Sequence, residues 1–250
     1  MTVHFVGAGP GAADLLTVRA TDLLAVADLV LYPGTYLDEA VLSYCRPGAE
    51  LVDTQDLTLD AMVDLVVTNS RAGRSVVRLT SGDPSLYSAL TEQTKRLDAA
   101  GVGWDVCPGV PAYAAAAALI GAELTIPLVA QTVVLTRTQA RSTQMPSTES
   151  LQAYAATQAT LVLHLGITRI RELMAELAPF YGEDCPVVVV HRASQPGEQI
   201  LRGTVSSIAD DVEAAELKQA AIILVGRALE RGGGESYLYA ASRDRRSKRV

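Results

Sequence analysis

The stretch Val3-His-Phe-Val-Gly-Ala-Gly-Pro-Gly11 joins a short apolar run to a glycine-rich turn. Residues 14–24 follow it with apolar side chains at helical spacing: Leu15, Val18 and Leu23, with Leu16 and Leu24 beside them. A buried strand that ends in a tight turn and feeds a helix is the opening unit of an α/β fold. The pattern recurs outward from there. Residues 29–32 read as a strand stopped by Pro33-Gly34, and residues 59–70 as a helix with Leu59, Met62, Val63 and Val66 on one face. Residues 75–80 read as a strand and residues 84–100 as a helix closed by Gly101; the strand 104–107 ends at Pro108-Gly109. Repeated β-α units predict a mostly parallel sheet with helices against it.

A second cycle occupies the rest of the chain. Strands are expected at 131–136, 160–165, 186–191 and 220–225, with helices at 167–177 and 208–217. Residues 199–205 read as a further strand, a candidate hairpin partner after the turn Gln195-Pro196-Gly197. The expectation is two α/β domains, 1–114 and 115–250. Their join lies in the segment 111–131, which holds an Ala-rich helix. No low-complexity linker separates them, so a cofactor cleft between them is the default ligand site.

Composition narrows the function classes. The net charge is -7, and residues 243–250 carry five Lys/Arg and one Asp, a net of +4, which leaves -11 on the body. An acidic body argues against a nucleic-acid partner, which needs clustered positive charge. The basic tail reads as a solvated end. Cys45, Cys107 and Cys185 are far apart and include no CxxC pair, so no metal site is expected and reduced thiols in a cytoplasm fit best. The first residues lack a basic n-region, and no apolar run reaches the length of a membrane span.

Three strand-end turns are the candidates for chemistry. Gly7-Ala-Gly-Pro-Gly11 has the spacing GxGxG rather than GxGxxG, and Pro10 removes an N–H where a pyrophosphate needs a donor. Asp28 precedes the second strand instead of closing it, so a nicotinamide cofactor is disfavoured. A tight turn that merely begins a helix explains the glycines equally well. In Ser81-Gly-Asp-Pro-Ser85, Asp83 suits a helix N-cap and Pro84 the first helical position. The same turn lies where open α/β sheets place ligands, so Asp83 and nearby carbonyls could hold a ribose or an amino group. Pro108-Gly-Val-Pro-Ala112 repeats the logic before a helix of small residues.

Taken together, these turns resemble the tetrapyrrole methyltransferase family. The likeness runs from Gly7-Ala-Gly-Pro-Gly-Ala-Ala-Asp-Leu-Leu-Thr17 through Ser81-Gly-Asp-Pro-Ser-Leu-Tyr87 and Pro108-Gly-Val-Pro-Ala112. It continues in Gln131-Thr-Val-Val-Leu-Thr-Arg137, Thr160-Leu-Val-Leu-His-Leu-Gly166, Val190-His-Arg-Ala-Ser194, Val225-Gly226 and Glu235-Ser-Tyr-Leu-Tyr239, so it covers nearly the whole chain. Within the family the chain is most similar to precorrin-4 C11-methyltransferases. The Leu135-Thr-Arg-x-x-x-Arg141 run ending in Met145-Pro146, and Ser236-Tyr-Leu-Tyr239, carry that likeness together with the Ser-Gly-Asp-Pro turn. Tyr32-Pro-Gly-Thr-Tyr36 departs from uroporphyrinogen methyltransferases, which carry an acid at the position of Pro33, so no general base is carried over.

The resemblance implies a homodimer that binds S-adenosyl-L-methionine and releases S-adenosyl-L-homocysteine. It implies cofactor contacts at Pro10, Ser81, Gly82, Asp83, Leu86, Pro111 and Ala112, with Leu165 and Ala193 from the second half. The expected reaction is C-methylation of precorrin-4 at C11 in cobalamin biosynthesis, with cobalt-precorrin-4 or another precorrin as alternatives. Direct displacement at an activated methyl needs alignment rather than a nucleophilic residue, and no catalytic residue is assigned. A polycarboxylate macrocycle needs cations, and Arg137 and Arg141 are the candidates for its carboxylates. His4, His164 and His191 read as structural, with His164 beside the expected cofactor residue Leu165. Further alternatives are a diphthamide-pathway methyltransferase, which docks a protein, and a nucleoside-binding α/β module without turnover.

Overall fold

The computed structural model describes residues 1–34, 37–138, 144–230, 232–234 and 236. They divide by contact into two units. One comprises Met1–Ala116 with Arg192–Glu198; the other comprises Ala117–His191 and the chain from Gln199 on.

The first unit is built on β1 (Val3–Gly7), β2 (Leu29–Tyr32), β3 (Glu50–Asp53), β4 (Val76–Thr80) and β5 (Trp104–Cys107). They form one sheet in the order β3-β2-β4-β1-β5, and every pairing is parallel. Side chains alternate across it with period two. Val3, Phe5, Leu29, Leu31 and Val76 enter one core with Val66 of α2 (Leu59–Arg71) and Leu97 of α3 (Leu90–Ala99). Val6, Val30, Val77 and Leu79 enter another with Ala20 and Leu24 of α1 (Val18–Val26). With both faces covered, such strands read as apolar runs, which is why they were visible in the sequence. Thr17 and Thr58 cap α1 and α2, accepting from Ala20 N and Ala61 N at 3.2 Å each.

Arg78 interrupts the apolar run of β4. It is only 7% exposed, and its register neighbours are Phe5 and Leu31. Burial pushes it down to about 10, which leaves it cationic at pH 7. Its Nη1 donates to Leu79 O at 2.5 Å and its Nε to Gln93 Oε1 at 3.3 Å.

The second unit holds β6 (Val133–Arg137), β7 (Thr160–His164), β8 (Pro186–His191), β9 (Gln199–Thr204) and β10 (Ala221–Val225), in the order β6-β7-β10-β8-β9. Only β6 and β7 run parallel; β10 is antiparallel to both β7 and β8, and β8 is antiparallel to β9. Leu161, Leu163, Val187, Val189, Ile223 and Val225 pack on Leu173 and Leu177 of α6 (Ile170–Tyr181) and Ile208 and Val212 of α7 (Ile208–Ala214). A short α5 (Leu151–Ala155) is capped by Ser150. The helix of small residues, α4 (Ala112–Ile120), spans the point where contact divides the chain.

The parallel arrangement expected from β-α repeats thus holds in the first sheet and gives way in the second. The reason is local: β8 and β9 are joined as a hairpin, and β10 returns between β8 and β7 against both. The helix expected at 84–100 begins only at Leu90, because Tyr87 and Ala89 have φ of 52° and 55°, left-handed values that no α-helix accommodates. Asp83 is therefore not its N-cap. β3 escaped notice because it is a four-residue edge strand with only Leu51 and Val52 apolar between Glu50 and Asp53, and Leu51 is exposed. No helix among the described residues is long and apolar enough to cross a membrane.

Candidate functional site

β1, β4 and β5 present their carboxyl ends side by side, and the three turns that follow them meet backbone to backbone. Gly9 N donates to Gly82 O at 3.2 Å, and Gly82 N returns a bond to Gly9 O at 2.7 Å. Ala8 N donates to Thr80 O at 2.8 Å. A β-carbon on Gly7 would stand 2.5 Å from Gly109 N and 2.7 Å from Gly82 O. One on Gly109 would collide with Gly82 O and stand 2.8 Å from Gly7 Cα. Those glycines are there because no side chain fits between the turns.

Asp83 holds two of the turns together. Its Oδ2 accepts from Gly109 N at 2.8 Å, and its Oδ1 accepts from Ser85 N at 2.9 Å and from the Ser85 hydroxyl. Burial alone would raise its carboxyl, but these three donors outweigh it and hold the group below the usual carboxylate range. Both oxygens are thus engaged in fixing the turn. The segment 84–89 behind it carries half-buried Leu86 and exposed Tyr87. It is held from below: Gln93, itself bonded to Arg78, donates through Nε2 to Ser88 O at 3.3 Å and Ala89 O at 3.2 Å.

At the third turn, a methyl on Gly82 would lie in ordinary contact, 3.6 Å from Ala112 N and from Pro111 Cα, so the glycine there answers to its φ of 67° and sits against the start of α4. N–H groups of a first helical turn have no intrahelical acceptor, so Ala112 presents a donor there. Pro10 is buried in the first turn, and its carbonyl accepts from Gln195 Nε2 at 2.6 Å. Ala193, also buried, belongs by contact to this unit. Pro10, Gly82, Asp83, Pro111 and Ala112 are therefore gathered at one end of one sheet, with Ser81 exposed beside them.

In the second unit, Leu165 follows β7 with φ of 56° and 56% of its surface exposed. A large apolar side chain held open in a left-handed conformation is costly unless something uses it. His164 precedes it, and burial pushes that imidazole down to about 4, so it is neutral at pH 7 and cannot serve as a cation for a carboxylate. Arg137 ends β6, opposite His164 in register. It lines a cavity of about 190 Å³ with Thr136, Thr138, Met145, Arg169 and Glu176. Arg141 lies outside the described residues. Among the described residues, no group of His, Cys, Asp and Glu could hold a metal ion.

Residues 2–209 match the family described as tetrapyrrole (corrin/porphyrin) methylases. The chain belongs to the tetrapyrrole methylases. A precorrin-4 C(11)-methyltransferase of Rhodococcus erythropolis is 50% identical to it over 246 residues, 98% of this chain and 99% of that protein. A cobalamin biosynthetic enzyme, cobalt precorrin-4 methyltransferase, has a crystal structure similar to this one at a TM-score of 0.89 and 40% identity, covering 92% and 96% of the two chains. The uroporphyrin-III C-methyl transferase of Thermus thermophilus, solved in complex with S-adenyl homocysteine, is similar at a TM-score of 0.77 and 29% identity, covering 92% and 94%.

For this tetrapyrrole methylase, sequence reasoning placed Gly109 in a candidate turn without naming its close approach, and it missed the bonds that Ser194 and Gln195 make to the first turn. Gly109 follows β5, beside Gly7 at the end of the neighbouring β1. Gln195 carried no such signal, because it is separated from Pro10 by 185 residues.

Proposed function

We propose that this chain transfers the methyl group of S-adenosyl-L-methionine to C11 of precorrin-4, a step of cobalamin biosynthesis, and releases S-adenosyl-L-homocysteine. The observation that carries the reading is end-to-end identity of 50% with the Rhodococcus precorrin-4 C(11)-methyltransferase. The turn around Gly82 suits the methyl donor. Carbonyls there and the Ala112 N–H would meet a ribose and amino acid, and Pro10 has no N–H to give a phosphate. When bound, the donor supplies a sulfonium methyl that an electron-rich ring carbon displaces.

The residues of the chain do the rest. Pro10, Ser81, Gly82, Asp83, Leu86, Pro111, Ala112 and Ala193 form the donor site, and the family resemblance adds Leu165 as a donor contact. Asp83 acts through the backbone it fixes, because its oxygens already accept from Gly109 and Ser85. Alignment of two reactants in such a rigid frame contributes up to about 7–11 kcal/mol. Arg137 and Arg141 pair with carboxylates of the tetrapyrrole. The three cysteines are free, which fits a cytoplasmic enzyme. Leu128, 93% exposed, with Leu119 and Val129 also exposed, suits burial in a homodimer.

Cobalt-precorrin-4 is the second reading, favoured by the similarity to the cobalt precorrin-4 methyltransferase structure. Calorimetric titration with S-adenosyl-L-homocysteine, with NAD as control, comes first; turnover of metal-free and cobalt-bearing precorrin-4 follows. Binding of NAD alone would overturn the reading. Faster turnover of the cobalt form would replace it with the second.

A further inference from the structure

The segment 192–198 carries more than Ala193. Ser194 Oγ accepts from Ala12 N at 3.1 Å, and Gln195 Nε2 donates to Pro10 O at 2.6 Å, so two adjacent side chains grip the first turn on either side of Gly11. Gly11 has φ of 152°, and a β-carbon there would collide with Gln195 Cγ. The approach is close enough to require glycine.

The segment is also strained. Arg192 and Ser194, on either side of buried Ala193, have φ of 49° and 64°. Left-handed non-glycine residues persist only where the surroundings over-determine them. Here the restraints are visible: Ser194 N donates to Glu198 Oε2 at 2.7 Å, and Gln195 N to Arg192 O at 2.9 Å. The two grips on the first turn complete the set. Nothing in this arrangement is needed to close the hairpin between β8 and β9, which a shorter and unstrained loop would do.

We infer that Gln195 and Ser194 are positioning residues for the methyl donor: they clasp the glycine turn, fixing Pro10, and hold Ala193 in place against the same site. The inference rests on the donor site proposed above. Gln195 acts by donating to a carbonyl, so a carboxylate of equal length cannot replace it. Ser194 acts by accepting, so its loss frees the Ala12 amide.

The test uses the full chain with Gln195→Glu, Gln195→Met and Ser194→Ala. Gln195→Glu and Gln195→Met are expected to weaken S-adenosyl-L-homocysteine binding about tenfold, because the first turn is no longer held in its binding geometry. The KM for the donor should rise in step while kcat and the ligand-free melting temperature hold. Ser194→Ala should speed hydrogen exchange at the Ala12 amide without any ligand present. If wild type binds S-adenosyl-L-homocysteine and both Gln195 variants bind it equally well, the clasp is overturned and the donor site stands. If Gln195→Met melts lower in proportion to its lost affinity, the residue is structural and the inference fails. If wild type does not bind, the donor site falls and takes the clasp with it.

Discussion

Both sheets pack side chains against helices, and they part ways at their strand ends. In the first, parallel strands end together and their turns pack backbone on backbone, with Gly7, Gly82 and Gly109 in contact. In the second, most pairings are antiparallel, so strand ends do not gather in this way, and the packing is by side chains such as Leu161, Leu163 and Ile223 against Leu173 and Leu177. Backbone packing leaves carbonyls and amides at the surface where the strands end, which suits recognition of a polar ligand. Side-chain packing consumes its surface in the core and yields stability. The first unit should therefore couple folding to donor binding, and the second should not.

The sharpest way to break the comparison lies in the second core. Leu177→Ala removes a fully buried side chain and should cost about 2–5 kcal/mol of stability. Affinity of the folded protein for S-adenosyl-L-homocysteine should be unchanged; denaturant melts and calorimetry read the two separately. Gly109→Ala should cost about 1–3 kcal/mol, because backbone atoms cannot move aside as side chains do. It should also abolish measurable donor binding, since Gly82 O is what the new methyl strikes. A variant that melts lower but binds normally would mean the turns are not the donor site.

Asp83→Asn separates charge from shape. An amide cannot accept at both ends, so about 1.5–3 kcal/mol is at stake for bonds to a charged group, toward the lower end because the carboxylate is partly wet. The folded carboxyl titrates below its unfolded value of about 3.9, so its contribution is fully present above that pH. It is lost as pH falls through the folded value. The stability gap between wild type and Asp83→Asn should hold from pH 7 to 5 and close in stronger acid. The smallest effect belongs to Arg137→Ala, which should raise the KM for the tetrapyrrole about tenfold and leave donor affinity alone. Equal loss of both would remove Arg137 from substrate recognition.

How much was legible follows from the same contrast. Both sheets announced themselves through buried apolar runs: Val77 and Leu79 in β4 of the first, Leu161 to Leu163 in β7 and Val187 to Val190 in β8 of the second. Such runs admit few other readings. The direction of the strands was legible only where a helix separates them, as between β1 and β2; where β10 returns beside β7, the run of apolar residues is the same for either direction. The site turns were legible because glycine and proline punctuate them. The late start of α3 was not, since Tyr87 and Ala89 adopt left-handed backbone against their own preference under restraint from Gln93. The clasp was hidden for a different reason: its partners lie 182 and 185 residues apart.

Strand order also sets a timetable for synthesis. β1 is made before the other described strands, yet among them it pairs only with β4 and β5, so it waits until residues 76–80 and then 104–107 have emerged. The second sheet waits longer still, because β10, the last of the described strands, fills the gap between β7 and β8. Long-range pairing of this kind is slow and leaves apolar edges open to aggregation in the meantime. A message truncated before codon 221 would yield a chain whose β7 and β8 have lost the neighbour that joins them, and cellular quality control should remove it.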